Sequence, residues 1–261
     1  MGGERKPGTQ SIERAVCLLK ALSTRHRAGW QLADLAAQCG LKKSTAHRIL
    51  NSLSRERLVS RHVIDGHYLP GPLLFELGLA LPGLGNFQRE ARERLEEFAR
   101  RTGGVASLYL RSGDDTVCAI RLGDSPVTGL SSRPAGSRTP MALSTGGTAI
   151  LIALPLEESR AVIARNFATL AHLGAKRLDD FRRVIKRSPA EGLCVNAGVA
   201  MPGINIFGMA VLDAGGRPFA SVSLAGTPKT FPAARLAEFR KWLDREARAL
   251  GECAARALGD A

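Results

Sequence analysis

The stretch LADLAAQCGLKKSTAHRILNSL, residues 32–53, decides the fold of the N-terminal third of the chain. Its apolar residues recur at the spacing of two short amphipathic helices, the first ending at Gly40 and the second resuming at Lys42. Glycine commonly follows a helix because it adopts the left-handed backbone conformation at little steric cost. Two amphipathic helices joined by so tight a turn are typical of a helix-turn-helix.

The flanking sequence predicts a winged helix-turn-helix over residues 11–82. An earlier helix is expected behind Ser11, a good capping residue, because apolar side chains recur at helical spacing from Ile12 to Leu22. After the opening stretch, strand-forming residues lie on both sides of Asp65-Gly66 in the segment RLVSRHVIDGHYLPG (57–71). That dipeptide is typical of a two-residue type I′ hairpin turn. A hairpin after a helix-turn-helix is a wing.

The second helix of the opening stretch turns cations and short polar side chains outward when its apolar residues point inward. Hydroxyls hydrogen-bond base edges, arginine binds guanine through two nitrogens, and lysines at a helix start favour phosphate. A cation on the wing is expected to reach the flanking backbone or the minor groove. The residues predicted to bind DNA are Lys42, Lys43, Ser44, Thr45, His47, Arg48 and Arg61.

The composition is that of a folded protein with a polyanionic partner. Among 261 residues, 37 are Lys or Arg and 24 are Asp or Glu, a formal net charge of +13. A chain this basic usually binds polyanions, although an arginine excess also accompanies GC-rich coding. For the polar outer face of the helix that resumes at Lys42, the alternative to DNA binding is an ordinary solvent-exposed face. Hydrophobic residues at 44% and charged residues at 23% are those of a folded, soluble protein.

Several absences lead to expectations about location and cofactors. No apolar run reaches the roughly 18–20 residues of a membrane span, and no apolar stretch follows the basic N-terminus. The five cysteines are odd in number, scattered, and never form a CxxC pair. We expect free, buried, structural thiols in a reducing cytoplasm, with no metal, no cofactor and no membrane partner.

Residues 83–261 predict a second domain of α+β class. The proline- and glycine-rich segment 81–86 is expected to break the chain after a linker helix at 73–81. Predicted strands cover 105–110, 116–122, 127–132, 204–212 and 218–226. Predicted helices begin after Asn86 and cover 144–154, 157–165, 178–187 and 232–258. This order predicts an antiparallel sheet with helices packed on it.

The chain resembles the IclR family of bacterial transcriptional regulators along nearly its whole length. The resemblance is carried in the first third by SIERAVCLLKALS (11–23), KSTAHRIL (43–50) and YLPGPLLFELG (68–78). Later it is carried by RTPMALSTGGTAILIALP (138–155) and VAMPGINIFGMAVLDAGGRPFASVSLAG (199–226). It implies a GAF-like effector domain behind the winged helix, a homodimer or homotetramer, and a palindromic double-stranded operator. Repression, the commoner mode in the family, is expected.

The resemblance also implies a small-molecule site in the second domain. In the family this pocket is formed by the first turn of a small-residue helix, the loop before a Pro-Gly step, and hydroxyls on the last strand. It commonly takes a carboxylate or an aromatic acid. The residues carried over by position are Thr145, Gly146, Asn196, Ile206, Ser223 and Ala225.

The same site departs from the family pattern in polarity. The loop before Pro202, usually acidic in the family, carries no carboxylate here, and Ile206 and Ala225 stand where some relatives have polar side chains. We expect less repulsion of an anion and apolar walls from Met201, Ile206 and Phe207. The hypothesis that follows is an apolar or aromatic carboxylate effector.

Two other functions are alternatives to a ligand-responsive regulator. An enzyme is not expected, because the chain has no GxSxG, HExxH, Walker or GxGxxG motif, and neither His172 nor Cys194 has evident catalytic partners. The alternative that stays open is an oligomerising winged-helix regulator with no small-molecule effector.

Overall fold

The structure is a computed structural model that describes residues 9–25, 28–123, 134–170, 175–188, 192–199 and 201–258. The chain divides into two compact units. The first comprises Met1–Pro82 with Gly136–Arg138, and the second comprises Gly83–Ala135 with Thr139–Ala261. Among the helices described, none is both long enough and apolar enough to cross a bilayer.

Within the described residues, the first unit has four α-helices and a two-stranded antiparallel hairpin. Its elements in chain order are α1 (Gln10–Leu22), α2 (Leu32–Gln38), α3 (Lys43–Arg55), β1 (Val59–Arg61), β2 (Tyr68–Pro70) and α4 (Leu73–Leu79). The first three helices and the hairpin enclose one small core. Its fully buried members include Leu18, Leu22, Leu35, Ala46 and Leu50. The predicted winged helix-turn-helix architecture is confirmed.

The apolar face of α1 differs from the prediction. The helix begins at Gln10, and no side chain caps it, so Ser11 is not the cap. Ile12 is 65% exposed, whereas Leu18 and Leu22 lie in the core. The apolar residues of α1 extend over more than one face of the helix, and only one face can contact α2 and α3.

The wing is wider than the predicted two-residue turn. β1 and β2 are joined by residues 62–67, and the loop is closed by the backbone N–H of His67, which donates to the Asp65 carboxylate at 3.0 Å. This bond lowers the pKa of Asp65. Val63 and Ile64, predicted as strand residues, lie at the tip of the wing and are 97% and 90% exposed. Side-chain bonding by Asp65 competes with the tighter turn.

The second unit is a six-stranded sheet with helices on both faces. Its helices are α5 (Pro82–Thr102), α6 (Thr145–Ala153), α7 (Leu156–Leu170), α8 (Ala175–Arg187) and α9 (Leu236–Leu258). Its strands are β3 (Val105–Ser112), β4 (Asp115–Leu122), β5 (Arg138–Pro140), β6 (Leu193–Ala197), β7 (Asn205–Leu212) and β8 (Pro218–Gly226). The strand order is β5-β4-β3-β8-β7-β6. The predicted α+β class is confirmed.

The two faces of the sheet differ in chemistry. One face packs on α5 and α9 through a large apolar core that includes Phe98, Phe207 and Phe239. The aromatic rings of Phe207 and Phe239 are 5.0 Å apart. The other face carries small and hydroxyl-bearing residues and is covered by α6. Phe207 therefore belongs to the core and does not form the effector-site wall expected from the sequence, because neighbouring residues of a strand point to opposite faces.

Two assignments in the second unit differ from those predicted from the sequence. α5 begins at Pro82, not after Asn86, because proline suits the first position of a helix. A Cβ on Gly83 would lie 2.5 Å from the Ala257 carbonyl oxygen, so glycine permits a close approach there. Asn196, expected in the loop before Pro202, lies instead in strand β6 (Leu193–Ala197). The strand predicted at 127–132 lies outside the described residues.

Candidate DNA interface and effector site

The rotation of α3 is set by its buried side. Ala46 and Leu50 are both 0% exposed and pack in the core with α1 and α2. The residues exposed on the outer side are Lys43, Ser44, His47, Arg48, Asn51 and Ser52. Thr45 lies half-buried beside them. The residues predicted to bind DNA from this helix are thus on one face, which carries no Asp or Glu from residue 42 to residue 55.

The first turn of α3 is open to an anion. Lys42 precedes the helix in an extended conformation, no side chain caps the helix start, and the first turn contains no acid. The backbone N–H groups of a helix start carry partial positive charge and bind phosphate readily. The exposed Lys42 and Lys43 side chains add two cations at this end.

The wing holds its cation in place. The Arg61 Nε donates to the Gly66 carbonyl oxygen at 3.1 Å, and the guanidinium lies 5.7 Å from the centre of the Tyr68 ring. Tyr68 is buried and exchanges two backbone hydrogen bonds with Trp30, at 3.0 and 2.9 Å. Arg61 is therefore attached to the rigid base of the wing while it stays exposed.

In the second unit, the strand register brings several predicted effector residues together. Asn196 pairs with Ile206, and Ile206 pairs with Ala225, so the three lie side by side across β6, β7 and β8. Ser223 follows on the same face of β8, opposite Ser107 of β3. Asn196 and Ala225, which are 29 positions apart in the sequence, thus share one patch of the sheet.

The start of α6 lies on this patch. The Asn196 Nδ2 donates to the Thr145 Oγ1 at 3.1 Å, and both residues are buried. A Cβ on Gly146 would lie 2.5 Å from Tyr109 and 2.8 Å from the Ser221 hydroxyl. Only glycine lets the helix approach the sheet so closely. Gly146 therefore packs against the sheet.

A cavity of about 30 Å³ lies beside the bond between Asn196 and Thr145. This is room for about two or three water molecules, because one needs about 10–15 Å³ by this measure. The lining comes from the start of α6, from α8 and from β6. The lining residues include Leu143, Thr145, Thr148, Arg177, Asp180, Phe181 and Asn196.

The cavity is lined by an acid, although the loop before Pro202 carries none. Asp180 of α8 is buried, lines the cavity and forms an ion pair with Arg183. Arg177, on the same helix, contributes a cation to the lining. Neither residue was predicted to belong to the site, because α8 is remote in sequence from the start of α6. Only the fold places α8 against β6. Their spacing of three on an amphipathic helix was the available signal.

An apolar cluster adjoins the same patch. Val105, Ile204 and Ala225 are buried together, and Met201 and Ile206 pack against them. The expectation that Met201 and Ile206 supply apolar surface here agrees with the structure. The patch thus offers hydrogen-bonding groups on one side and hydrocarbon on the other.

The residues considered for catalysis do not form a site. Burial raises the pKa of the Cys194 thiol to about 12, so this sulfur is not a nucleophile near neutral pH. His172 lies outside the described residues. Within the described ranges, no group of three or more His, Cys, Asp or Glu side chains is arranged to hold a metal ion.

Comparison with known families matches both units of the chain. Residues 11–62 match the IclR helix-turn-helix domain, and residues 85–252 match the domain described as bacterial transcriptional regulator IclR C-terminal. The regulator Rv1719 of Mycobacterium tuberculosis is 30% identical over 217 residues, which are 77% of this chain and 80% of that protein. The regulator XynR of Escherichia coli K12 is 24% identical over 97% of this chain and 98% of its own length.

A solved structure shares the fold. The IclR homolog from Microbacterium hydrocarbonoxydans, complexed with 4-hydroxybenzoate, has a TM-score of 0.63 and 17% sequence identity, and the match covers 95% of this chain and 100% of that one. The matched curated relatives are DNA-binding transcriptional regulators, so the expectation that the chain is not an enzyme is confirmed. From both domain matches and these relatives, the chain belongs to the IclR family of bacterial transcriptional regulators.

Proposed function

We propose that this regulator is a cytoplasmic repressor that reads a palindromic operator with α3 and responds to an apolar or aromatic carboxylate. The observation that carries the DNA part is the outer face of α3, which is exposed, cationic and free of acids while Ala46 and Leu50 hold its other side in the core. Such a face suits the major groove of DNA.

The contacts divide by chemistry. Lys42 and Lys43, at the open helix start, bind phosphates and position the helix. Ser44, Thr45, His47 and Arg48 read base edges, and the wing cation Arg61 binds the flanking backbone. Phosphate contacts contribute affinity at any sequence, whereas the contacts from the middle of α3 discriminate between bases.

A homodimer supplies the two-fold symmetry of a palindrome. Support comes from apolar side chains of the first unit that lie outside its core. Ile12 and Val16 of α1 are 65% and 42% exposed, and Phe75 of α4 is 71% exposed. Exposed apolar groups of this size favour a second protein surface. Pairing of dimers into a homotetramer is compatible with the same surfaces.

The effector part of the proposal rests on the patch around Thr145 and Asn196. Their amide and hydroxyl groups and the Arg177 guanidinium suit a carboxylate, while the Asp180 carboxylate in the same lining is paired with Arg183. The neighbouring cluster around Ile206 suits an apolar or aromatic body. The aromatic acid bound by the Microbacterium homolog has this chemistry. Ser223 and Ala225 would complete the wall on β8.

The small volume of the cavity indicates how effector binding would influence DNA binding. Pockets that enclose small ligands are usually about 300–1,000 Å³, far larger than the 30 Å³ beside Thr145. The effector must therefore bind an arrangement in which α6 and α8 separate. A ligand shifts a conformational equilibrium only by the difference in its affinity for the two arrangements. Because the effector would bind only the arrangement in which α6 and α8 separate, its binding would favour that arrangement and so act as the switch.

The DNA part is tested with the intergenic DNA beside the regulator's own gene. The double variant Arg48→Ala with Thr45→Ala should retain its fold and lose preference for the footprinted site over random DNA, since each good base contact contributes about 1–3 kcal/mol of discrimination. Arg182→Ala, which removes an exposed cation from α8, is the control. Unchanged promoter occupancy by the folded double variant would refute the assignment of α3.

The second candidate is a regulator with no small-molecule effector, and the small cavity favours it. A thermal-shift panel separates the two. Benzoate and 4-hydroxybenzoate should raise the melting temperature and change operator affinity, whereas pyruvate and glyoxylate should not. Stabilisation by the keto acids alone contradicts the aromatic assignment, and a flat response to all four acids favours the second candidate.

A further inference from the structure

The tip of the wing carries two neighbouring aliphatic side chains that are almost fully exposed to solvent. Val63 is 97% exposed and Ile64 is 90% exposed, more than any other large hydrophobic residue in the part of the chain that the structure describes. Single exposed apolar residues are ordinary on protein surfaces, whereas contiguous exposed apolar groups mark sites of contact with another molecule. The adjacent pair at the tip is therefore a candidate contact site.

Hydrogen bonds hold the loop behind this tip in one conformation. The Asp65 carboxylate accepts the His67 N–H at 3.0 Å, and the Nδ1 atoms of His62 and His67 lie 3.0 and 3.2 Å from its two oxygens. The His62 N–H donates to the His67 carbonyl oxygen at 2.7 Å, and the Gly66 N–H donates to the His62 carbonyl oxygen at 3.0 Å. The two aliphatic side chains are thus presented by an ordered loop, so little conformational entropy is lost when a partner binds them.

The wing is attached directly to the end of α3. The Leu58 N–H donates to the Leu53 carbonyl oxygen of α3 at 2.9 Å. Val59 of β1 is buried in the same core as Leu50 of α3. The wing and α3 therefore belong to one packed body, and DNA that contacts α3 lies near the wing.

The length of the wing matches the spacing of the grooves of DNA. The chain from Val59 at the base to Ile64 at the tip extends at most about 17 Å, because a strand rises about 3.4 Å per residue. This is about half of the roughly 34 Å helical repeat of the duplex. Half a repeat separates a major groove from the neighbouring minor groove, so the tip can reach the minor groove when α3 lies in the major groove.

The charges around the tip favour DNA as the partner. Arg61 is exposed beside the loop, and its Nε donates to the Gly66 carbonyl oxygen at 3.1 Å. Asp65 is the one acid among residues 57–71, and its carboxylate contacts the imidazoles of His62 and His67. Minor-groove proteins commonly combine cations that bind DNA with an apolar side chain that enters between bases.

We propose that Val63 and Ile64 form an apolar wedge that enters the minor groove beside the major groove bound by α3, partly unstacks one base step and bends the duplex. The inference rests on the DNA-binding part of the proposed function. Pyrimidine–purine steps such as TA unstack most readily, so the wedge favours such a step at a fixed distance from the bases read by α3. It adds a sequence preference without a hydrogen bond to any base.

The wedge is tested with the full-length protein and the footprinted duplex from beside the regulator's own gene, with 2-aminopurine placed at each flanking position in turn. The wild type should raise the fluorescence at one flanking step of each half-site, because 2-aminopurine brightens when it unstacks. Energy transfer between dyes on the two duplex ends should rise as the duplex bends. The double variant Val63→Ser with Ile64→Ser should abolish both signals.

The double serine variant should also lose at least about tenfold in operator affinity, since it buries less hydrocarbon. Its dependence of affinity on salt should keep the wild-type slope, because no phosphate contact is removed. Leu156→Ser, which removes a 63% exposed leucine from α7, is the matched control and should behave as wild type. Val63→Ile with Ile64→Val keeps the hydrocarbon and should retain both signals. Circular dichroism melting verifies that every variant is folded.

Equal fluorescence and energy-transfer signals in the wild type and the folded double serine variant overturn the wedge. A changed sedimentation mass of the DNA-free variant also overturns it, since the tip would then belong to a contact between protein chains. A wild type that binds the operator without either signal overturns the wedge and leaves the proposed function intact. A wild type that binds no DNA contradicts the proposed function and the wedge with it.

Discussion

Replacing Lys42 and Lys43 together by alanine should weaken DNA binding at all sequences alike and flatten its dependence on salt. Both lysines stand at the uncapped, acid-free start of α3, and both are exposed. Neither contributes to the core of the first unit. The substitutions should therefore leave the stability of the fold close to that of the wild type.

The magnitude follows from the number of phosphates involved. One phosphate for each lysine gives four in the proposed dimer, and each contributes about 0.9 to the slope of log K against log salt. The slope of the variant should be shallower by about 3.6. Raising salt from about 50 to about 200 mM should then cost the wild type roughly 150-fold more affinity than it costs the variant.

Fluorescence anisotropy with a labelled operator duplex, repeated over a series of salt concentrations, measures this slope. The matched control is Arg182→Ala with Lys186→Ala, which removes two exposed cations from α8 and changes the net charge by the same amount. The control should keep the wild-type slope. An equal slope in the folded lysine variant and the wild type would refute the phosphate role of the helix start. Equal flattening in the control would assign the effect to net charge.

Three further substitutions test packing and the effector site. Gly71→Ala should lower the melting temperature, because its Cβ would lie 2.2 Å from the Arg57 carbonyl oxygen, and overpacking typically costs about 1–3 kcal/mol; an unchanged melting temperature would contradict this packing. Leu50→Ala, at a site that is 0% exposed, should cost about 2–5 kcal/mol in a denaturant titration, and a loss below that range would mean that the core closes around the cavity. Asn196→Ala removes the 3.1 Å bond to Thr145. It should weaken binding of 4-hydroxybenzoate in calorimetry and leave operator affinity without ligand unchanged; unaltered ligand binding would remove Asn196 from the site.

The helices of the first unit were predictable because their signals are local. The spacing of Ala46 and Leu50 and the glycine at Gly40 place two helices and a turn without reference to the rest of the chain. The same local reasoning misjudged α1, where Ile12 has the right spacing and is 65% exposed. Which apolar face of a helix enters the core depends on the helices that pack against it.

The wing and the start of α5 show a second kind of error. Asp65-Gly66 favours a tight turn, yet the Asp65 carboxylate bonds the His67 N–H and closes a wider loop. Proline and glycine at 82–86 are typical of a break, yet Pro82 begins a long helix. In both cases a residue type has two structural uses, and neighbouring contacts select one of them.

At the effector site, residue types alone indicated hydroxyl, amide and glycine positions but not their neighbours. Antiparallel register places Asn196 beside Ile206 and Ala225. Packing of α8 places Asp180 in the lining of the cavity, although the loop before Pro202 contributes no acid. Contacts between residues so far apart in the sequence form only when the chain between them folds back. No short sequence pattern predicts such contacts.

The amino-acid sequence by itself carried the family resemblance in its motifs. It also determined the two-part architecture and the acid-free outer face of α3, since these two follow from periodicity and residue chemistry along contiguous segments. Only the tertiary structure decided that the cavity beside Thr145 and Asn196 is small and that Asp180 lines it. The periodicity of apolar side chains reflects local geometry over a few residues. Burial, strand register and contacts between remote groups arise only when the whole core packs.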